Sequence, residues 1–274
     1  MRHYRRVVSI ASRIQRNIDD VRGFGPSVLK RHLSRLKRDT ITAIEIKGYG
    51  PIHTRLSNTD MDVLRQVFSQ KQYRFIWDNL ERRVRAKYDA IVASGKTPVI
   101  IDAGANIGAS SVWFAHEYPK SKVIAVEPDP GNFGVLRLNA RPNIEIHEAA
   151  IGAEPGHVSL FNQQVGMAVR TQRAETGVPV LSIPECLEMV PKGEAFIVKI
   201  DIEGFESDLF ASNTDWLEHT FAVFIEPHDW LLPYEGTSQS FQKALVRWPF
   251  DLFLIGENLL YVRLNEPSDD STPV

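Results

Sequence analysis

The chain has 274 residues, 43% of them hydrophobic, and a formal net charge of −2. It is long enough to bury one sizeable core with an appendage, and its charge balance gives no electrostatic case for nucleic acid as a partner. A single cysteine, Cys186, excludes an internal disulfide framework, and no apolar run approaches the ~18 residues that span a bilayer, so a soluble, cytoplasmic protein is expected.

The first forty residues form a basic arm. Arg2, Arg5, Arg6, Arg13, Arg16 and Arg22 precede a second cluster of Lys30, Arg31, Arg35, Lys37 and Arg38. Without a following apolar core this is not a secretory signal. Gly23-Phe-Gly-Pro26 breaks any continuous helix, and Val28, Leu29, Leu33 and Leu36 then recur near helical spacing. Such a basic amphipathic helix can dock on an anionic membrane face or an acidic partner, or pack on its own domain or a second copy. Residues 41–95 read as a cover for the domain that follows. Ile44 and Ile46 lead through Lys47-Gly-Tyr-Gly50 to Ile52 and Leu56, a hairpin pattern. A helix is expected from Asn58 to Phe68, and another from Trp77 to Val92.

From residue 98 strands and helices alternate, which predicts an α/β domain over 96–265 built on a mostly parallel sheet. Strands are expected near 98–103, 122–127, 143–147, 195–201 and 220–225. The runs 250–255 and 258–264 flank Gly256-Glu-Asn258 and predict an antiparallel hairpin. Within 151–194, His157–Phe161 and Met167–Thr171 read as an inserted hairpin, and Pro184–Met189 as a short helix. Residues 266–274 read as a disordered tail.

The first buried strand, Val99-Ile-Ile101, ends at Asp102 and turns through Gly104-Ala-Asn106-Ile-Gly108. The second delivers Glu127 at its C-terminal end. A glycine turn after one strand and a carboxylate after the next suit a nucleoside, whose ribose hydroxyls the carboxylate accepts. Asn106 stands where a dinucleotide fingerprint needs its middle glycine, so a pyrophosphate fits poorly. S-adenosylmethionine has the ribose without the phosphates. The spacing favours this methyl donor over NAD.

Three motifs carry a family resemblance. Lys199-Ile-Asp201-Ile-Glu203-Gly204-Phe-Glu206 resembles the Lys-x-Asp-x-Glu-Gly-x-Glu signature of FkbM-type methyltransferases. Ile101-Asp-Ala-Gly-Ala-Asn-Ile-Gly108 and Val126-Glu-Pro-Asp-Pro-Gly-Asn-Phe133 resemble that family's cofactor motifs. Over about residues 41–262 the order of motifs is kept, and Arg55, Asp60 and Tyr73 match further positions. One departure is Leu181-Ser-Ile-Pro184-Glu185, where the family often has an aspartate. The resemblance implies a class I, Rossmann-like, seven-stranded sheet with an antiparallel last strand, and S-adenosylmethionine-dependent methylation of a sugar or natural-product hydroxyl.

On that layout Asp102, Gly104, Asn106 and Gly108 lie near the donor's methionine portion, Glu127 takes the ribose, and Pro128 and Asp129 shape the rim. The small Ala149 and Ala150 leave room for adenine, and Asp201 sits near the transferable methyl. Of the residues that could draw the proton from the acceptor hydroxyl, His228 is the first choice and Asp201 the second. Alternatively Asp201, Glu226 and His228 hold a divalent metal, magnesium or manganese, with zinc also compatible with the imidazole. Glu203 and Glu206 also suit the first turn of a helix, and Lys199 is expected to pack or pair rather than react. The acceptor is expected to be a glycan, glycolipid or glycosylated small molecule, with homo-oligomerisation open. The rivals are an NAD-linked oxidoreductase and a non-catalytic binding protein on the same fold.

Overall fold

The computed structural model describes residues 15, 18–25, 28, 40–56, 58–162 and 169–264. The second basic cluster, most of the expected amphipathic helix and the expected disordered tail lie outside them.

The hairpin β1 (Ile41–Ile46) and β2 (Gly50–Arg55) is followed by α1 (Asn58–Leu64), a π-helical turn over Arg65–Ser69, and α2 (Asp78–Ala93). The central domain then runs β3 (Thr97–Ala103), α3 (Ala109–Glu117), β4 (Lys122–Val126), α4 (Pro130–Asn139) and β5 (Ile144–His147). An insertion follows, with β6 (Ala150–Ile151), β7 (Gly156–Asn162), β8 (Val169–Ala174) and β9 (Val178–Leu181). After α5 (Ile183–Glu188) come β10 (Gly193–Ile200), α6 (Glu206–Leu209), a 3-10 turn over Thr214–His219 and β11 (Ala222–Ile225). The last elements are α7 (Ser238–Leu245), β12 (Phe250–Ile255) and β13 (Asn258–Arg263).

The main sheet has the order β12-β13-β11-β10-β3-β4-β5. Only β13 runs against its neighbours, as the sequence predicts. Its central strands are apolar on both faces because both are covered. Ile100, Val123 and Phe224 pack into one core with Ile44, Ile52, Val84 and Phe114. Ile101, Ile124, Val198 and Val223 pack on the other side with Ile183, Leu217 and Phe241. The chain leaves β3 toward β4 and later returns to place β10 on β3's other side. That reversal opens a crevice beyond the carboxyl ends of β3 and β10, the usual ligand position in such sheets.

The insertion is larger than the expected hairpin. β9 joins β7 antiparallel and β6 parallel, giving a second sheet of order β6-β9-β7-β8. At Ser182-Ile-Pro-Glu185 the residues form a capping box. Ser182 and Glu185 each satisfy the other's backbone N–H, and Pro184 occupies the first turn. The hairpin β1–β2 is held to the main domain by Asn139, which accepts from His53 N at 2.7 Å and donates to the carbonyls of His53 and Ile107. Asp20, in a helical stretch over 18–24, is buried and paired with Arg65 at 2.6 Å. Tyr73 is a packing residue, edge-on to Phe224 at 5.5 Å.

Candidate active site

The crevice wall begins at a buried charge pair. Asp102, fully buried at the end of β3, accepts from Ser110 and Ser111 at 2.6 and 2.5 Å, tying the strand to the first turn of α3. Its other oxygen lies 3.2 Å from the Lys199 ammonium, which is 2% exposed. Lys199 also donates to the carbonyls of Gly104 (2.7 Å) and Ala103 (3.3 Å) and lies 3.4 Å from Asp201. Burial alone would lower the pKa of this ammonium, but the charges of Asp102 and Asp201 raise it well above the usual value. Lys199 is thus a fastening between two strand ends, in line with the expected pairing.

The turn beyond β3 is left-handed at Gly104, Asn106 and Gly108. It points the Asn106 N–H at Glu127 Oε2, 2.8 Å away. Glu127 Oε1 accepts from Asp129 N at 3.0 Å and from Asn132 Nδ2 at 3.3 Å. Burial pushes this carboxyl up to about 7, against the lowering effect of those three hydrogen bonds. Arg55, from the hairpin, holds Asp60 and donates to Asn132 Oδ1 at 2.7 Å, so it braces the residue that orients Glu127.

A cleft open to solvent lies between these walls. Gly104, Asn106, Glu127, Pro128, Ala150 and Asp201 line it, all six expected from sequence. Asp102, Gly108, Asp129 and Ala149 stand behind the lining: Asp102 fastens strands, Gly108 begins α3, Asp129 caps α4 through Asn132 N at 2.8 Å, and Ala149 lies in the core. The sequence reading missed Asn132, Ile151, Thr171, Ile202 and Phe205. Asn132 had a local signal, an amide three residues after the helix cap Asp129. Thr171 arrives on the inserted sheet and had none.

Asp201 and Glu203 also line the cleft, and His228 lies against both of them. His228 is 2% exposed, and its Nδ1 is held by the fully buried Glu206 at 2.8 Å. Its Nε2 lies 3.6 Å from Asp201 Oδ1 and 3.5 Å from Glu203 Oε2. Burial would lower this imidazole, but the hydrogen bond and charge of Glu206, with Asp201 and Glu203, raise it to about 9. A rise in that direction favours the protonated imidazole, held as an ion pair by Glu206 and the two carboxylates. Among the described residues, ligand-type atoms of Asp201, Glu203 and His228 lie within 4.8 Å of one another, a group that does not include the Glu226 expected from sequence. Burial and the Asp201 charge push Glu226 up to about 8. Glu206 begins the short α6 yet is spent on His228, so the dipole reading does not account for it.

A family model described as the methyltransferase FkbM domain matches residues 102–245, just over half of the chain and both walls of the cleft. The chain belongs to the FkbM methyltransferase family. Its fold is accordingly that of a Rossmann-like class I methyltransferase, with Glu127 and the Asp201–Glu206 motif inside the matched region. Methyltransferase 1 of Beauveria bassiana (strain ARSEF 2860) is 24% identical over 145 residues, 42% of this chain and 58% of that protein. Methyltransferase sdnD of Sordaria araneosa is 46% identical over 46 residues, 17% of this chain and 18% of that protein. The chain thus spans less than two thirds of either relative. Among solved structures, a methyltransferase FkbM from Methylobacillus flagellatus KT is 17% identical with a TM-score of 0.40, covering 61% of this chain and 43% of that one. Among the described residues no helix is long and apolar enough to cross a membrane.

Proposed function

We propose that this FkbM-family protein transfers a methyl group from S-adenosylmethionine to a hydroxyl of a neutral, sugar-bearing acceptor. The observation that carries the reading is Glu127, buried just past the end of β4 and held by the Asn106 and Asp129 amides, facing a cleft whose turn carries Asn106 where a dinucleotide fingerprint needs its middle glycine. Glu127 accepts the ribose hydroxyls, Ala150 and Ile151 flank the base, and Gly104 and Asp201 border the methionine portion.

The acceptor oxygen attacks the sulfonium methyl in line. The new C–O bond forms as the C–S bond breaks, sulfur keeps the electron pair as a thioether, and the hydroxyl proton passes to Asp201. Alignment of oxygen, carbon and sulfur supplies much of the acceleration, and a positioned base adds ~10²–10⁴-fold. Carboxylates at the acceptor end repel an anionic acceptor and suit a neutral polyol. The exposed Trp230, two residues beyond His228, offers a face on which a sugar ring can stack.

Calorimetric titration with S-adenosylhomocysteine, with NAD as the control, tests the donor. Micromolar binding of the former alone is expected. Loss of charged hydrogen bonds worth ~1.5–3 kcal/mol each makes Glu127→Gln weaken binding by at least about tenfold. Because Glu127 ionises only above about 7, wild-type affinity should fall between pH 8 and pH 6 while that of Glu127→Gln stays flat. NAD binding without S-adenosylhomocysteine binding would overturn the reading in favour of an oxidoreductase. Arg55→Ala, which frees Asn132, should weaken S-adenosylhomocysteine by about fivefold, the worth of one hydrogen bond. An unchanged Kd would leave Arg55 a purely structural residue.

A further inference from the structure

We infer that the chain pairs with a second copy of itself through β12, joining two main sheets antiparallel about a two-fold axis. β12 ends the strand order of its sheet. An edge strand presents a row of unpaired N–H and C=O groups, which natural proteins blunt with charge, proline or a bulge. The opposite edge is blunted in this way: β5 has four residues, and Glu145 within it is held by Lys122 and His147. β12 has none of these devices. Its six residues, Phe250-Asp-Leu-Phe-Leu-Ile255, keep an unbroken register with β13. Its one charge, Asp251, is drawn to Arg83 at 3.1 Å.

The ladder shows which backbone groups face outward. Pro249 O accepts from Leu264 N on the β13 side, and Ile255 pairs with Asn258 around the two-residue turn Gly256-Glu257. Odd-numbered residues therefore turn their backbone groups toward β13, while Phe250, Leu252 and Leu254 turn theirs away from it. A second copy laid antiparallel with Leu252 on the axis sets Leu252 against Leu252 and Phe250 against Leu254. Every outward N–H and C=O of these residues then finds its opposite. Asp251 meets Phe253, so no like charges oppose each other.

The side chains suit the same partner. Leu252 is 55% exposed and Leu254 70%. They share the face of Phe250, which lines a groove with Val246, Trp248, Tyr261 and Leu264. Val246 is 82% exposed, and Leu254 of the second copy comes to the mouth of this groove. On the other face Phe253 lies 5.1 Å from the exposed Trp77 ring, next to the exposed Ile76. A buried aliphatic side chain removes ~60–120 Å² from water, so the exposed parts of these residues supply roughly 200–400 Å² per copy. The strand backbone and the rim of the groove add to that, toward the ~800 Å² per partner of a standard interface.

The other segments of the chain fit the edge poorly. Residues 265–274 carry Glu266, Asp269 and Asp270 with Pro267 and Pro273, a composition that strands disfavour. Phe24 and Val28 of the N-terminal arm join the core that contains Ile44, on the face away from the groove.

The test is sedimentation velocity of the full chain, for which a dimer at micromolar concentrations is expected. Leu252→Lys sets like charges against each other on the axis. It and Leu254→Lys should each raise the dissociation constant by about a hundredfold. Leu138→Lys, exposed on α4, should leave it within about threefold. Leu252→Cys brings two thiols together across a pair whose Cα atoms stand ~5.5 Å apart, within disulfide range. Mild oxidation should cross-link that variant and not Leu138→Cys, since the native Cys186 is buried; this serves should the lysine variants not fold. A monomer at all concentrations, or a dimer unmoved by both lysine variants, overturns the proposal. A monomer whose Leu252 and Leu254 amides resist hydrogen exchange would overturn it in favour of a segment of the same chain on the edge.

Discussion

Lys199→Met is expected to destabilise the protein by about 3–5 kcal/mol, because it strands a buried carboxylate. Asp102 is fully buried, and Lys199 is the cation that faces it at 3.2 Å. Ser110 and Ser111 still donate to Asp102 in the variant, but hydroxyls carry no compensating charge. The carbonyls of Ala103 and Gly104 also lose their shared donor. At roughly 2–4 °C per kcal/mol for a chain of this size, Tm should fall by about 10 °C. Adding Asp102→Asn removes the uncompensated charge, so the double variant should recover part of the loss even though one change is added. Thermal and denaturant unfolding of the three variants measures both effects. A Lys199→Met protein as stable as the wild type would mean that the pair does not fasten the two strands.

Such a fastening is half visible in the sequence. Lys199 interrupts an apolar run, Phe196-Ile-Val-Lys-Ile200, so it had to be either paired or solvated, and a central parallel strand leaves no solvent. The partner could not be read, because Asp102 is 97 residues away and only the β3–β10 register, Lys199 opposite Asp102, brings them together. The strands themselves were legible for the same reason: covered on both faces, they appear as continuous β-branched runs. The two-strand insertion was read short because β6 and β9 pair across some thirty residues, and Pro179 inside β9 weakens its local signal. Glu127 was legible because its place at a strand end follows from the strand alone. The acidic end was less so. Glu203 and Glu206 fit a helix start on local rules, and neither rule carries the fact that β11 delivers His228 between them. Glu226 was expected beside His228 because both follow β11, but the group of close-lying ligand atoms takes in Glu203 in its place. The turn after β10 reaches the same place.

Gly104→Ala should weaken nucleoside binding by about a hundredfold and cost about 2–4 kcal/mol of stability. A Cβ at this position would lie 1.7 Å from the Asp201 carbonyl oxygen, and the backbone φ of +75° disfavours any L side chain. Strain at positive φ accounts for about 1 kcal/mol, and overpacking against backbone for about 1–3 more. The turn cannot swing away cheaply. Gly104 N donates to Val126 O at 3.0 Å, Gly104 O accepts from Lys199, and Asp201 N donates to Ala103 O at 3.1 Å. Relief therefore requires the tails of β3 and β10 to part, which separates the Asn106–Glu127 wall from Asp201. Displacing groups by ~1 Å costs on the order of 10²-fold where a ligand must be aligned, so S-adenosylhomocysteine affinity should drop by about a hundredfold. Gly134→Ala is the matched control. Gly134 lies within α4, where an added Cβ meets nothing within 4 Å, and alanine there should leave binding unchanged and raise stability by ~0.5–1 kcal/mol. Wild-type affinity in a folded Gly104→Ala protein would show that the two strand ends part without consequence, and the turn would then not be a wall of the binding site. Loss of affinity confined to Gly104→Ala places the ligand against the contact between the first turn and Asp201.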